Sequence, residues 1–284
     1  MSAPPIAYAF AADEKISGGF VRMIGEIAVR ADGLTRDSSA PIDELIHEGR
    51  LLIKRLRALL WFARPALGSA AYTRARTRLR RAAGLLSDHR DRAVMRQALE
   101  ELARKASTHP RDRAAATSLI RGLAAPSAAG GKVETALRET FRRAMAMLGR
   151  SVDEIKRSAR DRARWPSPAE RVEKAIHSMR GAEKKARRTG DDTDFHAWRK
   201  KTKRLLYQLE LTQALPGRRS ARIMERVGKL QSTLGQYHDD VVVGERLRIE
   251  QPLPASARRI LRLLAGRKAA LRKKACKIAD SLPQ

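Results

Sequence analysis

The sequence predicts an all-α protein. Apolar residues recur at helical spacing along nearly the whole chain, alternating Val-, Ile- and Thr-rich segments are absent apart from the short Val241-Val242-Val243, and Pro and Gly punctuate the ends of the periodic stretches. Ser17 to Arg30 reads as a first helix. Pro41-Ile-Asp opens a second, with Pro41 in the first turn where its missing N–H costs nothing, and this helix runs to about Ala63, before Pro65. Further helices are expected at about Ala71 to Leu86, Arg92 to Lys105, Arg111 to Leu123 and Lys132 to Ser158. The last two are separated by the loop Ala125-Pro-Ser-Ala-Ala-Gly-Gly. Trp165-Pro-Ser-Pro breaks the chain again and leads into Ala169 to Arg188, which Thr189-Gly-Asp-Asp-Thr closes. Helices at Asp194 to Leu215, Arg218 to Leu234, Val241 to Glu250 and Ala255 to Asp280 complete the series.

The charge balance narrows the partner. Of 284 residues, 60 are Lys or Arg and 31 are Asp or Glu, a formal charge of +29, which points to a polyanion. With 43% apolar residues the chain can bury a core, so it is not a disordered basic tail. Aromatics make up only 4%, too few for the stacking platforms that hold bases in single-strand and RNA readers. The lone Cys276 excludes an internal disulfide framework and a cysteine-rich zinc site, and fits a reducing compartment. Met1 to Ala12 carries no basic residue ahead of an apolar run, and no stretch approaches the roughly 18 apolar residues of a membrane span. A soluble cytoplasmic protein without membrane contact is expected.

Two motifs of the first half return in the second at one offset of 149 residues. His47 meets His196, Arg50 meets Arg199, Lys54 meets Lys203, Arg55 meets Arg204, His89 meets His238 and Asp91 meets Asp240. Basic matches arise by chance in so basic a chain, but four of the six His obey the shift. The period is too long for a solenoid and predicts two related helical halves, residues 14–160 and 165–284, within one domain spanning 1–284.

On the helix that follows Pro41, Leu45, Gly49, Leu52, Leu56 and Leu59 form a core face. His47, Arg50, Lys54, Arg57 and Trp61, at spacings of 3 and 4, form a second stripe roughly opposite. In the second half Phe195, Trp198, Thr202, Leu205 and Leu209 form the apolar side, while His196, Arg199 and Lys203 repeat the ridge with Lys200 and Arg204 at its edges. The halves differ where Leu206 replaces Arg57 and Glu210 replaces Trp61. Solvated helix faces usually mix signs, yet Arg50 to Arg92 holds twelve cations against only Asp88 and Asp91. Such density repels itself unless anions occupy it.

These residues resemble the CHAD family, named for conserved histidines in an α-helical domain. The resemblance rests on His47-x-x-Arg50-x-x-x-Lys54-Arg55-x-Arg57, on His196-x-x-Arg199-Lys200-x-x-Lys203-Arg204-x-x-Tyr207, and on Leu85-Leu-Ser-Asp-His89-Arg-Asp91 with Leu234-Gly-Gln-Tyr-His238-Asp-Asp240. It runs from about Ser17 to the last helix, with Arg90 departing from Asp239 of the second copy. It implies two helical bundles related by a pseudo-twofold axis, a basic central surface, and binding of inorganic polyphosphate, with some members found on polyphosphate granules. The implied ligands are His47, Arg50, Lys54, Arg55, Arg57, His89, His196, Arg199, Lys200, Lys203, Arg204 and His238.

The chemistry fits that ligand. Polyphosphate offers a row of oxygens without bases, so spaced Arg and Lys donors suffice. A bound polyanion favours the charged form of His and draws protons to the four paired His. Asp91 and Asp240 are expected either to orient neighbouring His or Arg side chains or to cap helices.

Three rivals are weaker. A metal phosphohydrolase of the HD type is disfavoured because His196 lies among Arg199, Lys200 and Lys203, whose charge repels a dication. His89-Arg90-Asp91 resembles a kinase loop without the Gly-rich loop or Asp-Phe-Gly that a kinase needs. No catalytic residue, metal or cofactor is therefore expected. General nucleic-acid binding is the main alternative, since any strongly basic surface binds DNA or RNA at low salt, and here it is expected to be weak or non-specific. His109 and His177 have no partner under the shift, and Lys273-Lys-Ala-Cys-Lys is read as a solvated helix end.

Overall fold

A computed structural model describes residues 8–87, 99–101, 103–104, 110–123, 130–159, 164–215, 220–249 and 255–282. Among them there is no strand. The helices are α1 (Ile16–Arg36), α2 (Ile42–Phe62), the single turn α3 (Arg64–Leu67), α4 (Ser69–Leu85), α5 (Pro110–Leu123), α6 (Gly130–Ser158), α7 (Pro168–Thr189), α8 (Asp192–Thr212), α9 (Ser220–Ile249) and α10 (Ala255–Asp280). No described helix is long and apolar enough to cross a membrane.

Most elements follow the sequence expectation; besides the unexpected turn α3 and small shifts at the ends of α8, three depart from it. α1 continues past Arg30 to Arg36 because Ala31 and Leu34 are buried and extend the apolar face by a turn. The two helices expected at Arg218–Leu234 and Val241–Glu250 are one continuous α9. Gly235 costs about 1 kcal/mol in a helix interior, but burial of Tyr237, Val241 and Val243 just beyond it outweighs that local preference. Gly130 and Gly131, expected in the loop before Lys132, belong to the first turn of α6. Most of the expected helix Arg92–Lys105 lies outside the described residues, of which 99–101 and 103–104 are helical.

The chain divides into two compact units that interleave in sequence. One draws on residues 1–88, 129–175 and 207–221, the other on 89–128, 176–206 and 222–284. These units do not coincide with the expected halves 14–160 and 165–284: segment 89–128 falls in the second unit and segment 207–221 in the first.

In the first unit, α6 packs against α1, α2 and α4, and α2 also packs against α1 and α4. Their shared core holds Phe20, Met23, Ile24 and Ile27 of α1, Leu45, Leu52, Ile53, Leu56 and Leu59 of α2, Leu79 of α4, and Phe141, Leu148, Val152 and Ile155 of α6. Each such side chain gains about 1.5–3 kcal/mol on burial. Gly49 permits the close approach of α2 to α6, because a Cβ there would lie 2.7 Å from the Phe141 ring and 2.9 Å from Met145 Cε. The segment before α1 adds Tyr8 and Phe10 to this core, and the Phe10 amide donates to the Leu211 carbonyl at 2.9 Å.

In the second unit, α5 packs on α10, with Leu99, Ala116, Val243, Leu247, Ile260 and Leu264 forming one cluster. The Phe195 ring of α8 packs against Trp198 of the same helix and Tyr237 of α9, with centroids 5.7 and 4.9 Å away, and the Trp198 indole donates to Met179 Sδ of α7 at 3.4 Å.

Candidate functional site: two cationic ridges

In the first unit, α2 presents its cations away from the core, but each is held differently. His47 and Arg57 are exposed, whereas Arg50, Lys54 and Arg55 are half-buried. Arg50 donates through Nη1 to the Leu86 carbonyl, so its guanidinium is tied to the C-terminal end of α4. Arg55 lies over the Tyr8 ring, 5.3 Å from the centroid, and its backbone carbonyl accepts the Tyr8 hydroxyl at 2.9 Å. Trp61 does not end the exposed stripe as expected. It is buried beneath Arg171 of α7, whose guanidinium carbon lies 3.7 Å from the indole centroid and whose Nη2 donates to the Trp61 carbonyl. A side of α2 that its own periodicity assigns to solvent is thus covered by another helix.

Arg57 has cationic neighbours that the sequence reading missed. Desolvation by its surroundings, followed by the charges of Arg76 and Arg80 on α4, pushes its guanidinium below its ordinary range. Among the described residues, Arg57, Arg76 and Arg80 form no ion pair. Two other α4 cations are paired: Arg74 and Arg78 both bind Glu154 of α6, Arg78 at 2.8 Å. Positions 74 and 78 share one face of α4, and 76 and 80 lie about 200° away. That alternation is visible in Arg74-Ala-Arg-Thr-Arg-Leu-Arg80, but the position of Glu154 is not.

In the second unit, His196 and His238 stack, with ring centroids 4.3 Å apart at an interplanar angle of 36°. His196 Nδ1 is buried without a hydrogen-bond partner, and burial followed by the charges of Lys200 and Arg199 lowers the His196 pKa. Lys200 is exposed, while Arg199, Lys203 and Arg204 are half-buried on the same helix. Lys201 is also depressed by burial and by Arg204. The backbone of α9 passes beneath Arg199, since a Cβ on Gly235 would sit 3.9 Å from Arg199 Nε.

The N-terminal turn of α8 is fixed to α9 and α10 through Asp192. Its carboxylate accepts from the Tyr237 hydroxyl, from Lys268 and, at 2.9 Å, from Arg272. Burial would raise this carboxyl, but Lys268, Tyr237 and Arg272 hold it below its usual range. Burial and the Asp192 carboxylate push the Tyr237 hydroxyl up to about 12. Asp240, expected to orient a His or Arg or to cap a helix, does not cap: it lies inside α9, fully buried, with Oδ2 3.1 Å from Arg267 Nε. Arg267 also binds Glu101 at 2.8 Å. His89, Arg90 and Asp91 lie outside the described residues.

Eleven of the twelve implied ligands are thus described: His47, Arg50, Lys54, Arg55 and Arg57 on α2 in the first unit, and in the second His196, Arg199, Lys200, Lys203 and Arg204 on α8 with His238 on α9. No group of three or more His, Cys, Asp or Glu able to hold a metal ion occurs among the described residues.

No curated protein shows significant sequence similarity to the chain. Among solved structures, the crystal structure of the CHAD domain from the plant Ricinus communis superposes with a TM-score of 0.67 at 20% identity, covering 97% of this chain and 95% of that one, which is a likeness of fold. The CHAD domain is recognised over residues 23–248, most of the chain, so the protein belongs to the CHAD domain family.

Proposed function

We propose that the chain binds inorganic polyphosphate, without catalysis, through the α2–α4 cations and the α8–α9 ridge. The observation that carries this reading is the crowding of Arg57, Arg76 and Arg80 with no ion pair among the described residues. Like charges held together in the free protein repel, and a polyanion converts that repulsion into attraction. Arg supplies planar two-pronged donors that suit phosphate oxygens, and no base-stacking aromatic is exposed beside them. The Arg199–Lys200–Lys203–Arg204 run repeats the chemistry in the second unit. The 149-residue sequence repeat supports a common origin and a pseudo-twofold relation for the two ridges. On this reading the protein works in the cytoplasm and accompanies polyphosphate granules.

The test is titration of the purified protein with long-chain polyphosphate, pyrophosphate and duplex DNA at physiological salt. Polyphosphate should bind tightest and displace DNA. Arg57→Gln with Arg76→Gln should keep the fold, weaken polyphosphate binding and flatten its log–log salt slope by about 1.4, two contacts at roughly 0.7 each by analogy with single strands. DNA binding tighter than polyphosphate would replace this reading with nucleic-acid binding. An unchanged affinity in the double variant would remove the α2–α4 cluster from the site.

A further inference from the structure

The outer face of α10 carries a second array of cations, read from the sequence as a solvated helix end. Arg258, Arg262, Lys273, Lys274 and Lys277 are exposed, and none forms an ion pair among the described residues. Between them the exposed residues include Ala265, Gly266, Ala269 and Ala270, with no exposed aromatic or large aliphatic side chain. α10 contains no carboxylate before Asp280, which is engaged by Arg187 at 2.7 Å. An ordinary solvated face would intersperse both signs. The cations that α10 turns inward are paired: Arg259 with Asp112, Arg267 with Glu101 and Asp240, and Lys268 and Arg272 with Asp192. Uncompensated charge is therefore confined to the outer side.

We propose that this face is an accessory track for long polyphosphate chains, so that the protein discriminates by chain length. The inference rests on the polyphosphate reading of the ridges. The track passes close to the start of the α8 ridge, because Lys268 and Arg272, within its length on α10, bind Asp192 in the first turn of α8. From Arg258 to Lys277 it extends about 28 Å at 1.5 Å per residue, a distance no pyrophosphate can bridge. Small side chains at its centre let a flexible polyanion lie close to the helix. The face lacks the apolar wedge an interfacial helix inserts into lipid, which disfavours a membrane partner.

The experiment compares long-chain polyphosphate with pyrophosphate on the intact protein and on Arg262→Gln, Lys273→Gln, Lys274→Gln and Lys277→Gln combined. A control variant removes as many exposed cations from α6: Arg143→Gln, Arg150→Gln, Lys156→Gln and Arg157→Gln. Circular dichroism and thermal melting check that both fold. The α10 variant should bind long chains about ten- to a hundred-fold more weakly at low salt, with a slope flatter by about 2.8, four contacts at roughly 0.7 each. Pyrophosphate affinity should change by less than about twofold. Equal losses in the control mean that net charge alone acts, and unchanged long-chain binding, or a loss confined to DNA or anionic vesicles, also overturns the track. Failure of the unaltered protein to bind any polyphosphate would instead refute the functional reading itself.

Discussion

Protonation of the His196–His238 pair gives a sharp test of the α8–α9 ridge. At a separation of 4.3 Å, two imidazolium charges repel by about 4 kcal/mol at an effective dielectric constant of 20. The stack therefore accepts one proton far more readily than two. His196 is already disfavoured as a cation by burial and by Lys200 and Arg199, the charged groups that act on it from its own helix, while His238 faces it from α9. Its free-state pKa lies below the ordinary 6.5. The unfolded chain consequently binds the proton more readily than the native one, and the His196 contribution to stability, complete above pH 6.5, is lost as pH falls toward the folded value. A bound polyphosphate reverses the field and raises that pKa. Affinity should then climb as pH falls from the bound-state value to the free-state value, tenfold for each unit separating them.

The assay is calorimetric titration with polyphosphate at pH 6.5 in two buffers of different ionisation enthalpy, combined with proton NMR of the His rings. Uptake of at most one proton by the pair is expected, and His196→Gln should remove most of the pH dependence with modest weakening of binding. Titration of His196 in the free protein at or above 6.5 would refute the electrostatic reasoning. A Gln variant with the full wild-type pH dependence would show that the pair packs the helices and takes no part in binding.

Two further predictions concern the scaffold. Asp240→Asn should destabilise the protein by about 2–4 kcal/mol, because it leaves half of a buried ion pair with Arg267 unpaired while Glu101 holds the rest of the guanidinium; thermal melting should fall by several degrees or more. A loss of polyphosphate binding at unchanged melting temperature would instead make Asp240 a direct positioning residue. Gly49→Ala gains about 1 kcal/mol of helix propensity, but its Cβ at 2.7 Å from Phe141 overpacks the α2–α6 contact at a cost of about 1–3 kcal/mol, so net destabilisation by denaturant titration is expected, larger for Gly49→Leu. A more stable Gly49→Ala would show that Phe141 and Met145 yield without strain.

Where helical periodicity and breakers agree, the sequence sufficed. Ala255 to Asp280 is read from sequence with the bounds that the structure shows, since Pro252 and Pro254 precede it and only Gly266 interrupts it. Between Leu234 and Val241 the sequence reads as a break, but burial of Tyr237, Val241 and Val243 carries the helix through. In the proposed binding region, the cations of α2 and α8 were legible from their spacing, and their environments were not. Nothing in the sequence around Trp61 tells that Arg171, 110 residues away, covers it. Nor does the basic run of α4 tell that Arg74 and Arg78 are neutralised by Glu154 while Arg76 and Arg80 remain beside Arg57. Both are long-range facts, set by which helices pack together.

Those long-range contacts also explain how so basic a chain folds before any anion arrives. Part of its positive charge serves helix ends. Arg50 reaches the Leu86 carbonyl at the end of α4, Arg171 the Trp61 carbonyl near the end of α2, and Arg180 the Ala279 and Leu282 carbonyls around the end of α10, at 3.1 and 2.9 Å. The C-terminal carbonyls of a helix lack intrahelical donors and carry partial negative charge, so a guanidinium there satisfies an orphan acceptor and complements the dipole. A further part is absorbed by buried or half-buried carboxylates, Glu154, Glu183, Asp192 and Asp240 among them. Helix ends and internal ion pairs thus consume the cations that face inward. Arg57 on α2, Arg76 and Arg80 on α4, Lys200 on α8 and the outer cations of α10 form no ion pair among the described residues, and because their backbones are fixed in helices, binding of the proposed phosphate chain would cost only the ordering of their side chains.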